Sequence, residues 1–250
     1  MSADRSSADN PAAPPRGRQF PTRDANVATT ISHDFIDHVR LLFDLSLQDV
    51  AKQPLGQWGV NPPSRHALPA FVSAAASVEC FTNEHFISEM ARFAKPDSAL
   101  FQIQREWEGL EKLELWPKLV LIANLGFKQH LADGKDPWNK LRDLMKIRND
   151  LVHYKMSTTR PKYMQDFVQK KIALHAPGDH LYGWTYQLGT PEAIRWAHNA
   201  ACETVAAIAK LDPSRAHFFE TLTKMNFRPL SKNDRNRRLV ALGVELPKGK

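Results

Sequence analysis

Apolar residues recur along this chain every three or four positions, the period of an amphipathic helix. The first such stretch carries Phe35, Val39, Leu42, Phe43, Leu47 and Val50, with Ser32 placed to cap its start. Residues 66 to 94 repeat the pattern through Leu68, Phe71, Val72, Ala75, Val78, Phe86, Met90 and Phe93, and the small residues from Ser73 to Ser77 would let a second helix approach closely. Residues 104 to 126 read as one helix, or two short ones broken near Pro117, that end at Gly126. A further helix is expected to start at Asp136, with Pro137 in its first turn and a stripe of Leu141, Leu144, Met145, Leu151 and Val152. Pro161 to Leu174 suggests another, ending in two lysines, and His175 to Gly189 looks irregular with a short hairpin. Thr190-Pro191-Glu192 is a clear helix start, followed by Ile194, Ala197, Ala201, Val205, Ile208 and Leu211. Asp212-Pro213 opens a shorter helix with Phe218, Phe219, Leu222 and Met225. No strand pattern of comparable clarity appears, so the chain reads as all-α, an antiparallel helical bundle with short connections.

Composition adds the ends. Residues 1 to 30 are rich in Ala, Ser, Asp and Pro without an apolar period, so a disordered arm is expected there, followed by a helical domain over 31 to 226. The segment from 227 to 250 holds seven of the basic residues against Asp234 and Glu245, a net charge of +5 out of +7 for the whole chain. Its Lys232, Arg235, Arg237 and Arg238 suit a polyanion such as RNA, because neutralised phosphates release counterions; a solvated tail is the plainer role. Only Cys80 and Cys202 occur, with neither CxxC nor paired spacing, which argues against a disulfide framework or a zinc site. With no apolar run long enough for a membrane span and no apolar signal core, a cytoplasmic protein without membrane attachment is expected.

Candidate chemistry concentrates at the end of the Asp136 helix, in Arg148-Asn149-Asp150-Leu151-Val152-His153. Arg148 and His153 lie roughly 140° apart around a helix and do not share a face, whereas Asn149 and His153, four apart, do. Arg148 meets His153 only by its long stem or across a twofold axis, which makes a site at a dimer seam the natural arrangement. The spacing alone is unspecific: with 17 Arg and 10 His in 250 residues, chance supplies roughly 0.7 such pairs. Glu79 and Asn83 share a face of the second helix, and a carboxylate placed there needs a partner if buried, for which Arg148 is the attractive candidate. Facing water, or a purely structural ion pair, is the alternative for Glu79. The remaining histidines form neither HExxH nor HxxxH, and GxxxxGK[ST], GxGxxG and GxSxG are all missing from the sequence. Neither a metal nor a cofactor is therefore implied. Tyr182, Trp184 and Tyr186 suit base stacking or the anchoring of a loop, and the second is the commoner role.

Four landmarks then occur in order: SAAASVECFTNE (73 to 84), LEKLELWPKLV (110 to 120), DPWNKLRDLMKIRNDLVHYK (136 to 155) and PEAIRWAHNAACETVAAI (191 to 208). Together they resemble the HEPN family, all-helical modules of RNA processing, toxins and antiviral defence, and within it the abortive-infection-like branch. The resemblance covers residues 65 to 212. It implies a homodimer with a composite active site that cleaves RNA without metal, leaving 2′,3′-cyclic phosphate and 5′-hydroxyl ends. In that mechanism His153 serves as acid or base, Arg148 stabilises charge on phosphorus, and Asn149 orients the imidazole or a phosphate, with Glu79 and Asn83 in support. It further implies an antiphage or toxin-type effector under an inhibitory or activating protein partner. Some members of the family are catalytically silent scaffolds that bind RNA or protein, which is the alternative role.

Overall fold

The computed structural model describes residues 25–52, 64–93, 113–131, 134–153, 160–174, 183–211 and 226–228, with positions 231, 233, 236 and 237. The regular elements among these residues are all helices and include no strand, so the fold is all-α. The elements are α1 (Ala25–Lys52), α2 (Ala67–Phe93), α3 (Leu115–Leu121) continuing into a π-helical turn (Ile122–Gly126), α4 (Trp138–Val152), α5 (Tyr163–Gln169), the single turn α6 (Trp184–Gln187), and α7 (Pro191–Ala209). The expected helices over 104–112 and 212–225 lie outside the described residues.

The core forms where the faces of α1, α2 and α7 meet. Val39, Leu42, Phe43 and Leu47 of α1 pack with Phe71, Ala74, Ala75 and Val78 of α2, and Ile194, Ala197, Ala201, Val205 and Ile208 of α7 close the layer. Buried hydroxyls within it turn back on their own helices: Ser77 Oγ donates to the Ala74 carbonyl and Thr82 Oγ1 to that of Val78, both at 2.7 Å. His38 lies 3.0 Å from Ser73 and His66 lies 3.2 Å from Asp49, so rising numbers in α1 meet falling numbers in α2 and the two are antiparallel. By contrast the Ser64 N–H donates to Gly189 O, and Phe71 contacts Trp196, so both chains advance together and α7 runs parallel to α2. The three long helices therefore do not simply alternate in direction. α4 lies across two of them, its first half tied to α7 by Lys140 to Glu203 at 2.6 Å and its second half to α2 by Arg148 to Glu79 at 2.9 Å.

Several local expectations are corrected. α1 begins at Ala25, inside the expected arm, because no Gly or Pro interrupts residues 25 to 52; Ser32 is buried within it rather than capping it. Ile36 is buried where Phe35 was expected, and Leu68 and Val72 of α2 are exposed. Asp136 does not cap α4. The cap position is Pro137, the Asn139 N–H is already taken by the Lys135 carbonyl, and the Asp136 carboxylate lies 3.5 Å from Lys140. Gly134, at φ +78°, makes the turn that leads in, and the Asn139 side chain donates to its carbonyl. Within α4 the buried face is Trp138, Leu141, Leu144 and Ile147, whereas Val152 is 55% exposed. The face rotates because α4 contacts α7 and then α2, not one partner along its length. α5 stops at Gln169, with Lys171 in the left-handed region at φ 57°. The described part of the expected hairpin, 183 to 189, holds the helical turn α6 instead, with Trp184 edge-on to Tyr163, so this aromatic anchors the segment to the core.

Thr190 and Pro191 start α7 as the sequence predicts. The Thr190 hydroxyl accepts from the Ala193 N–H at 2.9 Å and donates to the Ile172 carbonyl at 2.6 Å.

Candidate functional site

On α2, the core-facing residues leave the half-buried Glu79 and the exposed Asn83 on an adjoining face, four residues and one turn apart. α4 crosses there. Arg148 Nη2 donates to both carboxylate oxygens of Glu79, at 3.1 and 2.9 Å, and Nη1 donates to Asn149 Oδ1 at 2.8 Å. Both side chains of the ion pair remain about 30% exposed, so water reaches the guanidinium. An arginine has five N–H donors, and Nε with one N–H of Nη1 is left over for an incoming oxygen among the described residues.

Asn83 is drawn elsewhere. Its Oδ1 accepts from Nζ of Lys118, a buried residue of α3, at 3.0 Å. Lys118 was missed in the sequence, although it is the lone charge in the apolar run from Leu115 to Gly126, which signals a cation that needs a partner. Glu84, also missed, follows Asn83 in the chain; burial pushes its carboxyl up to about 7, and its Oε2 makes no hydrogen bond with a described residue. Burial raises the Cys80 thiol, and the carboxylates of Glu84 and Glu79 raise it further, which suppresses the thiolate.

His153 terminates α4. Its backbone N–H donates to the Asn149 carbonyl at 2.9 Å, while its exposed ring makes no hydrogen bond or ion pair with a described residue. Thus the structure brings together Glu79, Arg148 and Asn149, and separately Asn83 with Lys118. It leaves the imidazole facing water, on a different side of α4 from the ion pair. Asn149 Oδ1, expected to orient the imidazole or a phosphate, is instead occupied by Arg148. Of the basic C-terminal residues, Arg237 is exposed, and Lys232, Arg235 and Arg238 lie outside the described residues.

Among the described residues no group of His, Cys, Asp and Glu is arranged to hold a metal ion, and no helix is long and apolar enough to cross a membrane. The described side chains gathered near the end of α4 are a solvent-reachable imidazole, a guanidinium oriented by a carboxylate, and amide groups. Comparison with protein-family models, with curated proteins and with solved structures finds no match to this chain.

Proposed function

We propose that this protein is a metal-independent endoribonuclease of the HEPN type, working as a homodimer whose two copies of α4 face each other. The observation that carries the reading is the end of α4: His153 stands exposed with a ring that no described residue engages, five residues after an Arg148 that Glu79 orients and that keeps N–H donors unused by the described residues. Within one protomer the two face different sides of α4, and a twofold axis supplies the missing convergence.

One His153 takes the proton of a ribose 2′-hydroxyl, whose oxygen attacks the adjacent phosphorus. The P–O5′ bond breaks, and the second protomer's imidazolium gives its proton to the departing oxygen. Arg148 donates a remaining N–H, from Nε or Nη1, to a non-bridging oxygen as charge builds on it. The products are a 2′,3′-cyclic phosphate and a 5′-hydroxyl. The exposed Arg237 and its basic neighbours in sequence add affinity for the RNA backbone. On the resemblance of the four landmarks, the biological setting is antiphage defence or a toxin-type effector in the cytoplasm, held in check or activated by a protein partner.

A specific observation favours a second reading, a catalytically silent scaffold for RNA or protein. Arg148 is already paired, and its bond to Glu79 joins α4 to α2, which is a complete structural role in itself. One experiment separates the two. Total RNA and a tRNA pool are incubated in EDTA with wild type, His153→Ala and Arg148→Ala, and fragment ends are analysed. The nuclease reading expects cyclic-phosphate ends from wild type and a loss of about 10²–10⁴ in rate for His153→Ala. Equal fragmentation by all three removes the assigned residues, and intact RNA throughout favours the scaffold.

A further inference from the structure

The outward face of α4 carries a stripe that the Arg148–Glu79 pair touches only through Asn149. Asn139, Arg142, Lys146, Asn149 and His153 are spaced three and four residues apart and are all exposed. At 100° per residue they fall within roughly 80° of arc, opposite Leu144 and the core. No acidic residue shares the arc. Asp143 and Asp150 lie on its flank, both half-buried: burial and Asp166 raise the Asp143 carboxyl while the nearby Lys146 charge partly offsets this, and Asp150 accepts from the Tyr163 hydroxyl at 3.0 Å. Asp136 faces Lys140, and Asp166 of α5 faces Lys170 at 2.7 Å. Aromatic rings support the two cations: Arg142 lies 4.4 Å over the Trp116 ring, and Lys146 lies 5.5 Å over Tyr163. Such contacts hold a charged head in place, so that less freedom is lost when it meets an anion.

We infer that this face of α4 is the track on which single-stranded RNA lies, its phosphates on Arg142 and Lys146 and its scissile nucleotide at His153. The inference deepens the nuclease reading and rests on it for the position of the cut. From Asn139 to His153 the helix rises roughly 21 Å, about six nucleotides at the ~3.4 Å spacing of stacked bases. The strand is single because the stripe is one helix wide and because the 2′-oxygen must swing in line with the departing 5′-oxygen, which a regular duplex resists. Asn139 and Asn149 flank the two cations, and the amide atoms left over from their bonds to Gly134 and Arg148, Oδ1 of Asn139 and Nδ2 of Asn149, suit sugar and base edges.

The test uses the full chain carrying His153→Ala, so that RNA stays intact, and a fluorescein-labelled 20-nucleotide RNA of mixed sequence, read by anisotropy across a salt series. Adding Arg142→Glu with Lys146→Glu weakens binding at least about tenfold and lowers the salt slope by about 1.4, two contacts at ~0.7 each. The neutral pair Arg142→Gln with Lys146→Gln weakens it in the same direction, and Arg65→Glu, an exposed position just before the start of α2 and away from Glu79, leaves it unchanged. Circular dichroism checks that each variant keeps the parent's helicity. Binding by the charge-reversed protein within twofold of the parent overturns the track, as does a parent that binds a polyglutamate peptide and not RNA. Cleavage by otherwise wild-type chain that is unaffected by the reversal also overturns it while leaving the nuclease standing. Binding that depends on Arg142 and Lys146 in a chain that never cleaves keeps the track and removes the nuclease.

Discussion

Burial around Glu84 raises its carboxyl from an ordinary 4.5 to about 7, so the folded chain holds that proton more tightly than the unfolded chain does. Between these values the native state carries the excess proton, and stability falls as pH rises. The contribution is fully present below about 4.5 and is lost as pH climbs through about 7. Glu84→Gln removes the titration, so its melting temperature should gain on wild type as pH is raised from 4.5 to 7.5; a constant difference across that range would show that this carboxyl is not the group involved. The neighbouring pair has a different energetic signature. Arg148→Ala, Glu79→Ala and the double variant should give a coupling of roughly 1 kcal/mol in urea unfolding, shrinking in high salt, because both partners keep about 30% of their surface in water. Sequence reasoning reached this pair because an i, i+4 face of α2 and a long-stemmed arginine both called for a partner. It did not reach Lys118 as the partner of Asn83, since nothing local says which helix passes over that turn.

At the scale of elements, α7 was the most legible, and the reason is visible in its first turn. Thr190 both accepts from Ala193 and donates to Ile172, so one hydroxyl closes the helix start and fastens it to the chain after α5. Thr190→Ala should therefore cost about 1–2 kcal/mol, read by chemical denaturation, and Thr190→Ser should recover most of it. α1 and α2 make the complementary case for small residues. Ala74, Ala75 and Ser77 are buried in the core of the antiparallel pair, and Ser77→Leu should destabilise by about 1–3 kcal/mol through overpacking, whereas Val72→Leu on the exposed face of the same helix should be close to neutral. α4 was harder to read. Its apolar residues follow the helical period, but two sets of them satisfy it, and Ile147 rather than Val152 is buried because the helix turns its later half toward α2.

Across the whole molecule, pairs far apart in sequence hold the helices in register. Lys140 bonds Glu203, and although burial opposes its charge, the bond and charge of Glu203 and then Asp136 outweigh it and raise the ammonium. Asn199 grips Phe227 by both backbone groups, Nδ2 donating to its carbonyl and Oδ1 accepting from its N–H at 2.8 Å each, while the ring stacks 4.6 Å from Phe43. This clasp fixes the start of the basic segment against α1 and α7. Asn199→Ala should speed amide exchange at Phe227 by at least about tenfold, with little change in the core amides of α2. By itself the sequence determined the all-α class, the buried face of α7, the Thr190 cap, and the angular separation of Arg148 from His153, because each depends on residues within a turn or two of one another. Only the tertiary structure decided that α7 runs parallel to α2, that α4 crosses both, and that Glu79 takes Arg148 while the His153 ring stays in water. Those outcomes depend on how distant faces pack, and a helical period says which side of a helix is apolar without saying what will cover it.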